Sequence, residues 1–336
     1  MRIISSFLTL LSVVYAADPV QFEIWPAGPV PGENGYVSGA EKIVTRQYVG
    51  VTDRIYYNVS RPTLWPYLVG SGGSGAAVIV APGGGYAEMN FDDEGTRVAA
   101  RLNLMGISAL VLKYRIPARP PAAGLPELGG VQLIDAQRAM GVARYHAEEW
   151  GFNASQVGFM GFSAGGHLTA LISTNWAFRL YDRIDAADDL PCRPDFSLLL
   201  YPWKLLNEND LNKSTLSPSI LVNARHPPAF FAMNLDDPIA EPQGALVYTR
   251  QLLESRAPKS ALHLYPEGGH GFGVCSELNT DPTRRFQECC DWPQAALRFL
   301  QDKGFANGYP TDISLCNSTE FYPTPVQAVA ARGYVA

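Results

Sequence analysis

Ser163 is the residue whose setting best fits a nucleophile. Residues 161–165 read Gly-Phe-Ser-Ala-Gly and lie between an apolar stretch and a segment with a helical pattern. A serine on such a tight strand-to-helix turn has a strained backbone, and small residues two positions away on either side avoid clashes with neighbouring elements. The helix that begins at Ala164 directs the positive end of its dipole at the site. The pattern therefore predicts a serine that attacks a carbonyl carbon.

A glycine-rich run at residues 83–85 supplies a second part of this chemistry. It follows an apolar stretch and precedes Tyr86. Glycine lets backbone N–H groups turn toward a bound oxygen without interference from side chains, and such donors stabilise the charge that develops on an attacked carbonyl. We expect the N–H groups of Gly84, Gly85 and Ala164 to form this oxyanion hole. Tyr86 is a candidate for orienting the substrate, and covering the loop is the alternative.

His270 is the predicted general base. It lies in residues 268–273, which read Gly-Gly-His-Gly-Phe-Gly and follow a strand pattern at 261–265. The flanking glycines predict an exposed loop that can present the imidazole to Ser163. The other histidines fall inside predicted elements or in a Pro-rich loop and are expected to be structural: His146, His167, His226 and His263.

An acidic pair, Asp236 and Asp237, directly follows an apolar run at residues 229–235. In a serine–histidine–acid arrangement, the carboxylate fixes the tautomer of the histidine and stabilises its cation. Because the two residues are adjacent, only one of them can face the imidazole.

The elements that would position these residues predict a single α/β domain. Short apolar strands, hydrophobic on both faces, alternate with helices, which indicates a mostly parallel sheet covered on both sides. The predicted strands are 76–81, 108–114, 157–161, 196–201, 229–234 and 261–265, after an early antiparallel strand at 47–58. The predicted helices are 94–104, 132–150, 164–176, 243–255 and 293–302. We expect the domain to span residues 18–305, followed by a C-terminal extension at 306–336 that packs on it or is tethered to it.

Composition excludes several classes of protein. The 336 residues are 47% hydrophobic and 17% charged, which is ordinary for a globular chain. A mean hydropathy of −0.04 excludes a multispanning membrane protein. A net charge of −6 without a basic cluster argues against nucleic acid or an anionic membrane as a partner. We expect a monomer that binds a small ester or an acylated carbohydrate.

The N-terminus predicts a secreted, extracellular protein. Arg2 precedes an apolar run at residues 3–14, and a small-residue exit ends at Ala16, so residues 1–17 have the pattern of a signal peptide. N-x-Ser/Thr triplets agree with a glycosylating pathway. The candidate glycosylation sites are Asn58, Asn153, Asn212 and Asn317.

The five cysteines suggest two disulfides and one remaining thiol in an oxidising compartment. We hypothesise that Cys275 bonds Cys289 or Cys290 and tethers the loop that carries the base. Cys316 would hold the C-terminal extension through the other member of the pair, and the isolated Cys192 would be the free thiol. Zinc is the competing interpretation, but the histidines are not interleaved at ligand spacing, so no metal is expected.

With these motifs in place, the chain resembles the secreted α/β-hydrolase esterases of the acetyl xylan esterase group, which is close to the feruloyl/acetyl esterases. The resemblance is carried by residues 81–86, 93–95, 112–115, 135–139, 160–168, 193–196, 200–202, 236–238 and 264–273. It implies the α/β-hydrolase fold, an acyl-enzyme mechanism and no metal or organic cofactor. It also implies a triad of Ser163, Asp236 and His270, because the loop pattern of these enzymes favours Asp236 over Asp237 as the acid.

The substrate that the resemblance implies is acetylated plant polysaccharide such as xylan, or its fragments. A carboxylesterase for lipids or small esters, or a feruloyl esterase, would share every motif and stays open as an alternative. Asn234 departs from the group, because relatives often carry histidine there. Trp203, which follows the Tyr-Pro of a strand end, is another departure and could either stack on a sugar or pack in the core. The loops at 117–130 and 204–228 could overhang the site.

Overall fold

The structure is a computed structural model that describes residues 18–33, 39–48, 51–70, 72–118, 125–275 and 288–306. The expected signal peptide, Cys316 and Asn317 lie outside the described residues, as does the expected extension beyond residue 306.

The described part of the chain forms strands and helices in alternation. The strands are β1 (Phe22–Glu23), β2 (Lys42–Tyr48), β3 (Val51–Tyr57), β4 (Thr63–Tyr67), β5 (Ala77–Ala81), β6 (Met89–Asn90), β7 (Ser108–Lys113), β8 (Val157–Phe162), β9 (Ser197–Leu200), β10 (Ala229–Asn234) and β11 (Ala261–Tyr265). The helices are α1 (Arg97–Leu104), α2 (Gly130–Tyr145), α3 (Ala164–Thr174), α4 (Pro242–Glu254) and α5 (Trp292–Asp302). Within these ranges, no helix has the length and apolar character that a membrane span requires.

The central sheet has eight strands in the order β1-β4-β7-β5-β8-β9-β10-β11. Every neighbouring pair from β7 to β11 is parallel, and β4 pairs with β7 and β1 in the antiparallel sense. Strands β5, β7, β8, β9 and β10 are buried at every residue, so both faces of the sheet are covered. The predicted mostly parallel sheet is confirmed.

The structure near the N-terminus differs from the prediction in two ways. Residues 47–58, predicted as one strand, take part in an antiparallel pair in which β2 and β3 are joined from Lys42↔Tyr57 to Tyr48↔Val51. Strand β4 was not predicted and contains Pro66, which lacks a backbone donor. It fits because β1 pairs with β4 only at Thr63 and Leu64, which leaves Pro66 at an open edge.

The parallel register places the loops that carry chemistry at one edge of the sheet. Ala81 at the end of β5 is paired with Gly161, and Phe162 at the end of β8 is paired with Leu200. Asn234 at the end of β10 is paired with Tyr265, the last residue of β11. In sheets of this kind, ligands bind in the crevice outside the carboxyl ends of the strands.

A disulfide joins Cys275, which lies just after the loop that carries His270, to Cys290 beside α5, with a Cα–Cα distance of 5.4 Å. The neighbouring Cys289 is buried, and a Cβ added at Gly268 would lie 2.8 Å from its sulfur atom. Cys192 is a buried free thiol. The loop around His270 is therefore held from its far end by a covalent bond and from its near end by packing.

Replacing Cys275 by serine is expected to lower the free energy of unfolding by roughly 3 kcal/mol, because the bond closes a loop of 15 residues in the unfolded chain. Urea denaturation of the oxidised protein measures this change. Cys192→Ala removes a thiol that forms no disulfide and should cost clearly less. Equal stability of Cys275→Ser and the wild type would contradict the pairing.

Candidate active site

Ser163 lies at the turn between β8 and α3 with φ 51° and ψ −114°. A positive φ is uncommon for a residue with a Cβ and marks strain. A Cβ at Gly161 would lie 2.0 Å from the carbonyl oxygen of Gly165, and one at Gly165 would lie 2.0 Å from the oxygen of Ala81. Both glycines are therefore a steric requirement of the turn, which holds the serine hydroxyl at the carboxyl edge of the sheet.

His270 connects this serine to a carboxylate. Its Nε2 lies 2.8 Å from Ser163 Oγ, and its Nδ1 lies 2.8 Å from Oδ2 of Asp237. Because an ionised carboxylate only accepts hydrogen bonds, Nδ1 carries the proton and Nε2 of the neutral ring is left to accept from the serine hydroxyl. The geometry matches a nucleophile, a general base and an orienting acid.

The acid in this arrangement is Asp237, so the prediction of Asp236 was wrong. Leu235 still pairs with β11 through its N–H, and the chain then turns, with the N–H of Asp237 directed at Asn234 O. The turn directs the Asp237 side chain toward His270, and its Oδ1 accepts the N–H groups of Ile239 and Ala240, each at 2.8 Å. The Asp237 side chain is fully buried, which fixes its geometry.

Asp236 supports the base loop instead. Its carboxylate accepts the N–H of Gly268 at 3.2 Å and that of Gly269 at 2.8 Å. Asn234 also contacts this loop, because its amide donates to Gly269 O at 2.9 Å. The two neighbouring acids thus act on the same loop, Asp236 on its backbone and Asp237 on the imidazole.

The predicted oxyanion hole faces Ser163. Gly84 and Gly85 line the same cavity as the serine and have φ of 128° and 62°. A Cβ at Gly84 would lie 2.2 Å from the carbonyl oxygen of Glu88, so a side chain is excluded there. Among the described residues, no acceptor takes the N–H of Gly84 or Gly85. The N–H of Ala164, the first residue of α3, has no partner within its helix.

The cavity next to Ser163 has a volume of about 230 Å³. Its described lining residues are Gly84, Gly85, Asn90, Glu94, Ser163, Trp203, Ile239, His270 and Gly271. Trp203 is half-buried, and its backbone N–H donates to the carbonyl oxygen of Ser163 at 3.0 Å. The structure therefore places this predicted substrate-binding residue at the site.

Glu94 is a residue of this cavity to which the sequence assigned no role. Its Oε2 accepts the N–H of Gly83 at 2.6 Å, and its Oε1 accepts the hydroxyl of Tyr201 at 2.7 Å. Tyr201 Oη in turn accepts the N–H of Gly273 at 3.0 Å, and its ring centroid lies 5.0 Å from that of His270. One buried carboxyl group thus connects the loop after β5 with the loop after β11.

Burial is the main influence on the protonation of Glu94. It raises the pKa of the Glu94 carboxyl to about 7, against the opposing effect of the hydrogen bond from Tyr201. The acid therefore titrates near neutral pH. In the sequence, Glu94 is the first residue of the helix predicted at 94–104, a position where an acid is ordinarily exposed, so no sequence signal indicates its burial.

Tyr86 is placed behind the oxyanion loop. Its side chain is 1% exposed, and its hydroxyl lies 2.9 Å from Nδ1 of His167. Burial lowers the pKa of His167 to about 4, so this imidazole is neutral. Because Tyr86 packs between Tyr114 and His167, its side chain covers the loop. The structure therefore favours the alternative given for Tyr86, that it covers the loop, over a contact with substrate.

Asp237→Asn should reduce kcat on a p-nitrophenyl ester by about 10⁴-fold, because an amide no longer holds the Nδ1–H tautomer of His270. Asp236→Asn is the matched control, since it replaces the adjacent acid and keeps one oxygen for the loop N–H groups. The control should lose far less activity. Steady-state kinetics at constant pH measures both, and a larger loss in Asp236→Asn would contradict the assignment.

Glu94→Gln should change how stability depends on pH. The folded-state pKa of about 7 lies above the ordinary value of 4.5, so between these pH values the folded state holds a proton that the unfolded state has released. The stability of the wild type should therefore fall as pH rises toward 7 and then level off. The variant should lack this component, which amounts to roughly 3 kcal/mol.

Urea denaturation of both proteins across pH 4.5 to 7 measures the difference. Glu254→Gln, which alters an exposed glutamate of α4, is the control and should follow the wild type. Parallel curves for Glu94→Gln and the wild type would show that Glu94 is ionised throughout this range.

The chain is similar in sequence to several known proteins. The BD-FAE family model matches residues 70–187. The chain is 29% identical to an acetylxylan esterase of Xylanibacter ruminicola over 78% of this chain and 55% of that protein. It is 26% identical to endo-1,4-beta-xylanase B of Butyrivibrio fibrisolvens over 64% of this chain and 35% of that protein. The chain thus spans about half or less of the length of these two relatives.

Several solved structures are similar in fold to this chain. An acetyl ester-xyloside bifunctional hydrolase from Caldicellulosiruptor lactoaceticus superposes with a TM-score of 0.64 at 26% identity, covering 86% of this chain and 98% of that one. The carboxylesterase Cest-2923 from Lactobacillus plantarum has a TM-score of 0.58 at 20% identity, covering 81% of this chain and 100% of that one, and supports the fold. The chain therefore has the α/β-hydrolase fold and, within it, resembles the acetyl xylan esterase group.

Proposed function

We propose that this protein is a serine esterase that removes acyl groups, acetyl above all, from xylan or its fragments through an acyl-enzyme. The observation that carries the proposal is the chain of two 2.8 Å hydrogen bonds from Ser163 through His270 to Asp237, beside a cavity lined by Gly84 and Gly85. A hydroxyl, a base, an orienting acid and backbone donors in this order are what acyl transfer requires.

In the first half of the reaction, Ser163 Oγ attacks the ester carbonyl carbon while His270 Nε2 takes the hydroxyl proton. The carbonyl oxygen becomes an oxyanion that the N–H groups of Gly84, Gly85 and Ala164 stabilise, each donor contributing about 3 kcal/mol. When the bond between the carbonyl carbon and the alcohol oxygen breaks, the imidazolium returns its proton to that oxygen. The sugar leaves and the acyl group stays on Ser163.

In the second half, water replaces the alcohol. His270 takes a proton from the water, the hydroxide oxygen bonds to the acyl carbon, and the same backbone donors hold the oxyanion. Collapse breaks the bond to Ser163 Oγ, which receives the proton back from the imidazolium. Asp237 stabilises the cation in both halves without being protonated itself.

The lining of the catalytic cavity supports a short acyl group. The cavity is small, about 230 Å³, and among its described lining residues only Trp203 and Ile239 have large apolar side chains. A fatty acyl chain would find few apolar partners there, because it gains binding energy in proportion to the apolar area it buries. The relatives named for acetylxylan or acetyl ester hydrolysis support acetyl as the group removed from xylan-linked sugars.

A role outside the cell is part of the proposal. It rests on the signal-peptide pattern and on the disulfide between Cys275 and Cys290, a bond typical of oxidising compartments. Among the candidate glycosylation sites, Asn153 and Asn212 are exposed and could carry a glycan. Asn58 is half-buried, and its amide donates to Ala40 O at 3.3 Å, so it is the least suited of the three.

Acetate release from acetylated xylan, measured beside activity on triacylglycerols and methyl ferulate, tests the proposed function. We expect acetate release to dominate. Faster release of fatty acids or ferulate would replace the acetyl assignment by the lipid or feruloyl alternative, while the serine mechanism would stand.

Ser163→Ala tests the mechanism separately. It should fold like the wild type by circular dichroism and lose at least about 10⁴-fold in kcat on p-nitrophenyl acetate, because the nucleophile and its base act as a unit. Ser173→Ala, which removes a buried hydroxyl inside α3, is the control for loss of a serine and should stay active. Retained activity in Ser163→Ala would overturn the serine mechanism.

A further inference from the structure

A second cavity adjoins the catalytic one. It has a volume of about 280 Å³ and shares Trp203 and Ile239 with the cavity at Ser163. Its other described lining residues come from residues 202–213 and from the beginning of α4. A ligand held at Ser163 can therefore extend past the shared side chains into this second space.

Packing and backbone hydrogen bonds hold the wall of the second cavity in place. Leu205 is buried, and Gly244 of α4 approaches it so closely that an added Cβ would lie 3.0 Å from the Leu205 Cβ. Backbone hydrogen bonds join Asn207 to Thr215 at 3.0 Å and Ser217 to Leu205 at 2.8 Å. The first part of the loop at 204–228, which the sequence places near the site, is thus held in place by contacts within the protein, as a preformed binding site requires.

The charges around the second cavity favour a neutral ligand. Its lining includes Lys204 and Lys213 together with Glu208, Asp210 and Glu241. Lys204 is paired with Glu208, and Lys213 is paired with Glu241. The cations are thus already neutralised, while the acids are in excess. A carboxylate on the ligand would be repelled, whereas hydroxyl groups could hydrogen bond to these polar side chains.

Trp203 supplies the apolar surface that such a site needs. Trp203 lines both cavities, and the Lys204 ammonium lies 5.3 Å from the centroid of its ring. An aromatic ring with one polar edge is suited to a ligand that is apolar on one face and hydroxylated at its rim, as a pyranose is. The hydrogen bond from the backbone N–H of Trp203 to Ser163 O holds the backbone of Trp203 beside that of the nucleophile.

We infer that the second cavity binds a neutral sugar unit adjacent to the one that carries the ester, so that Trp203 makes the protein select oligosaccharides over monosaccharides. The inference rests on the proposed function, because a sugar unit reaches this cavity only if an acylated sugar occupies the catalytic site.

The test compares kcat/KM for acetylated xylotriose with that for acetylated xylose. The wild type should prefer the trisaccharide, and Trp203→Ala should reduce this preference by about 3- to 10-fold, mainly through KM, as expected for loss of one aromatic contact. Trp203→Phe should retain part of the preference and serves if the alanine variant does not fold. A uronic acid on the neighbouring unit should remove the advantage.

Trp176→Ala is the matched control. Trp176 is also half-buried beneath a cationic side chain, but it follows the end of α3, about 15 Å of helix away from Ser163. This variant should keep the wild-type preference.

Equal kcat/KM of the wild type for both sugars, or an unchanged preference in Trp203→Ala, would overturn the inference while leaving the esterase function intact. Failure to hydrolyse either acetylated sugar would instead overturn the proposed function.

Discussion

The site depends on one steric constraint, which is the close approach of α3 to the ends of β5, β8 and β9. A Cβ at Gly161 or Gly165 would lie 2.0 Å from a backbone oxygen, and one at Gly166 would lie 2.8 Å from Pro202 Cα. Without side chains at these positions, the helix begins directly against three strand ends. Ser163 is thereby forced into a positive φ and held within reach of the oxyanion loop, the base loop and Trp203. Each later step of the proposed chemistry requires this contact.

A second level of organisation is electrostatic. Asp236 and Glu94 do not contact the reacting atoms of the proposed mechanism, yet each accepts backbone N–H groups of a loop that does. Carboxylates are strong acceptors, so they hold flexible glycine loops in one geometry more firmly than neutral groups would. Glu94 also binds Tyr201, whose ring packs against His270. The protonation of one buried acid is therefore coupled to the positions of both loops.

Much of this arrangement could be predicted from the sequence because it follows from backbone rules. Apolar runs predicted the parallel strands. Because the carboxyl ends of such strands meet at one edge of the sheet, Ser163 and His270 could be predicted to lie close together. The choice of Asp236 over Asp237 was wrong, because the geometry of a single turn residue decides which carboxylate faces the imidazole. The burial of Glu94 could not be predicted either, since an acid in the first turn of a predicted helix is ordinarily exposed. In both cases the deciding information is the tertiary structure around the residue, which the local sequence does not contain.

The same constraint links catalysis to selectivity. Trp203 belongs to a loop that begins where β9 ends, and its N–H is bonded to the carbonyl oxygen of Ser163. This hydrogen bond joins the wall between the two cavities to the backbone of the nucleophile. A sugar bound against Trp203 would be positioned relative to the attacking hydroxyl by short, rigid contacts. Binding energy gained remote from the ester can then be used to orient it for attack, which is how a distant sugar unit would raise the rate at a small acyl group.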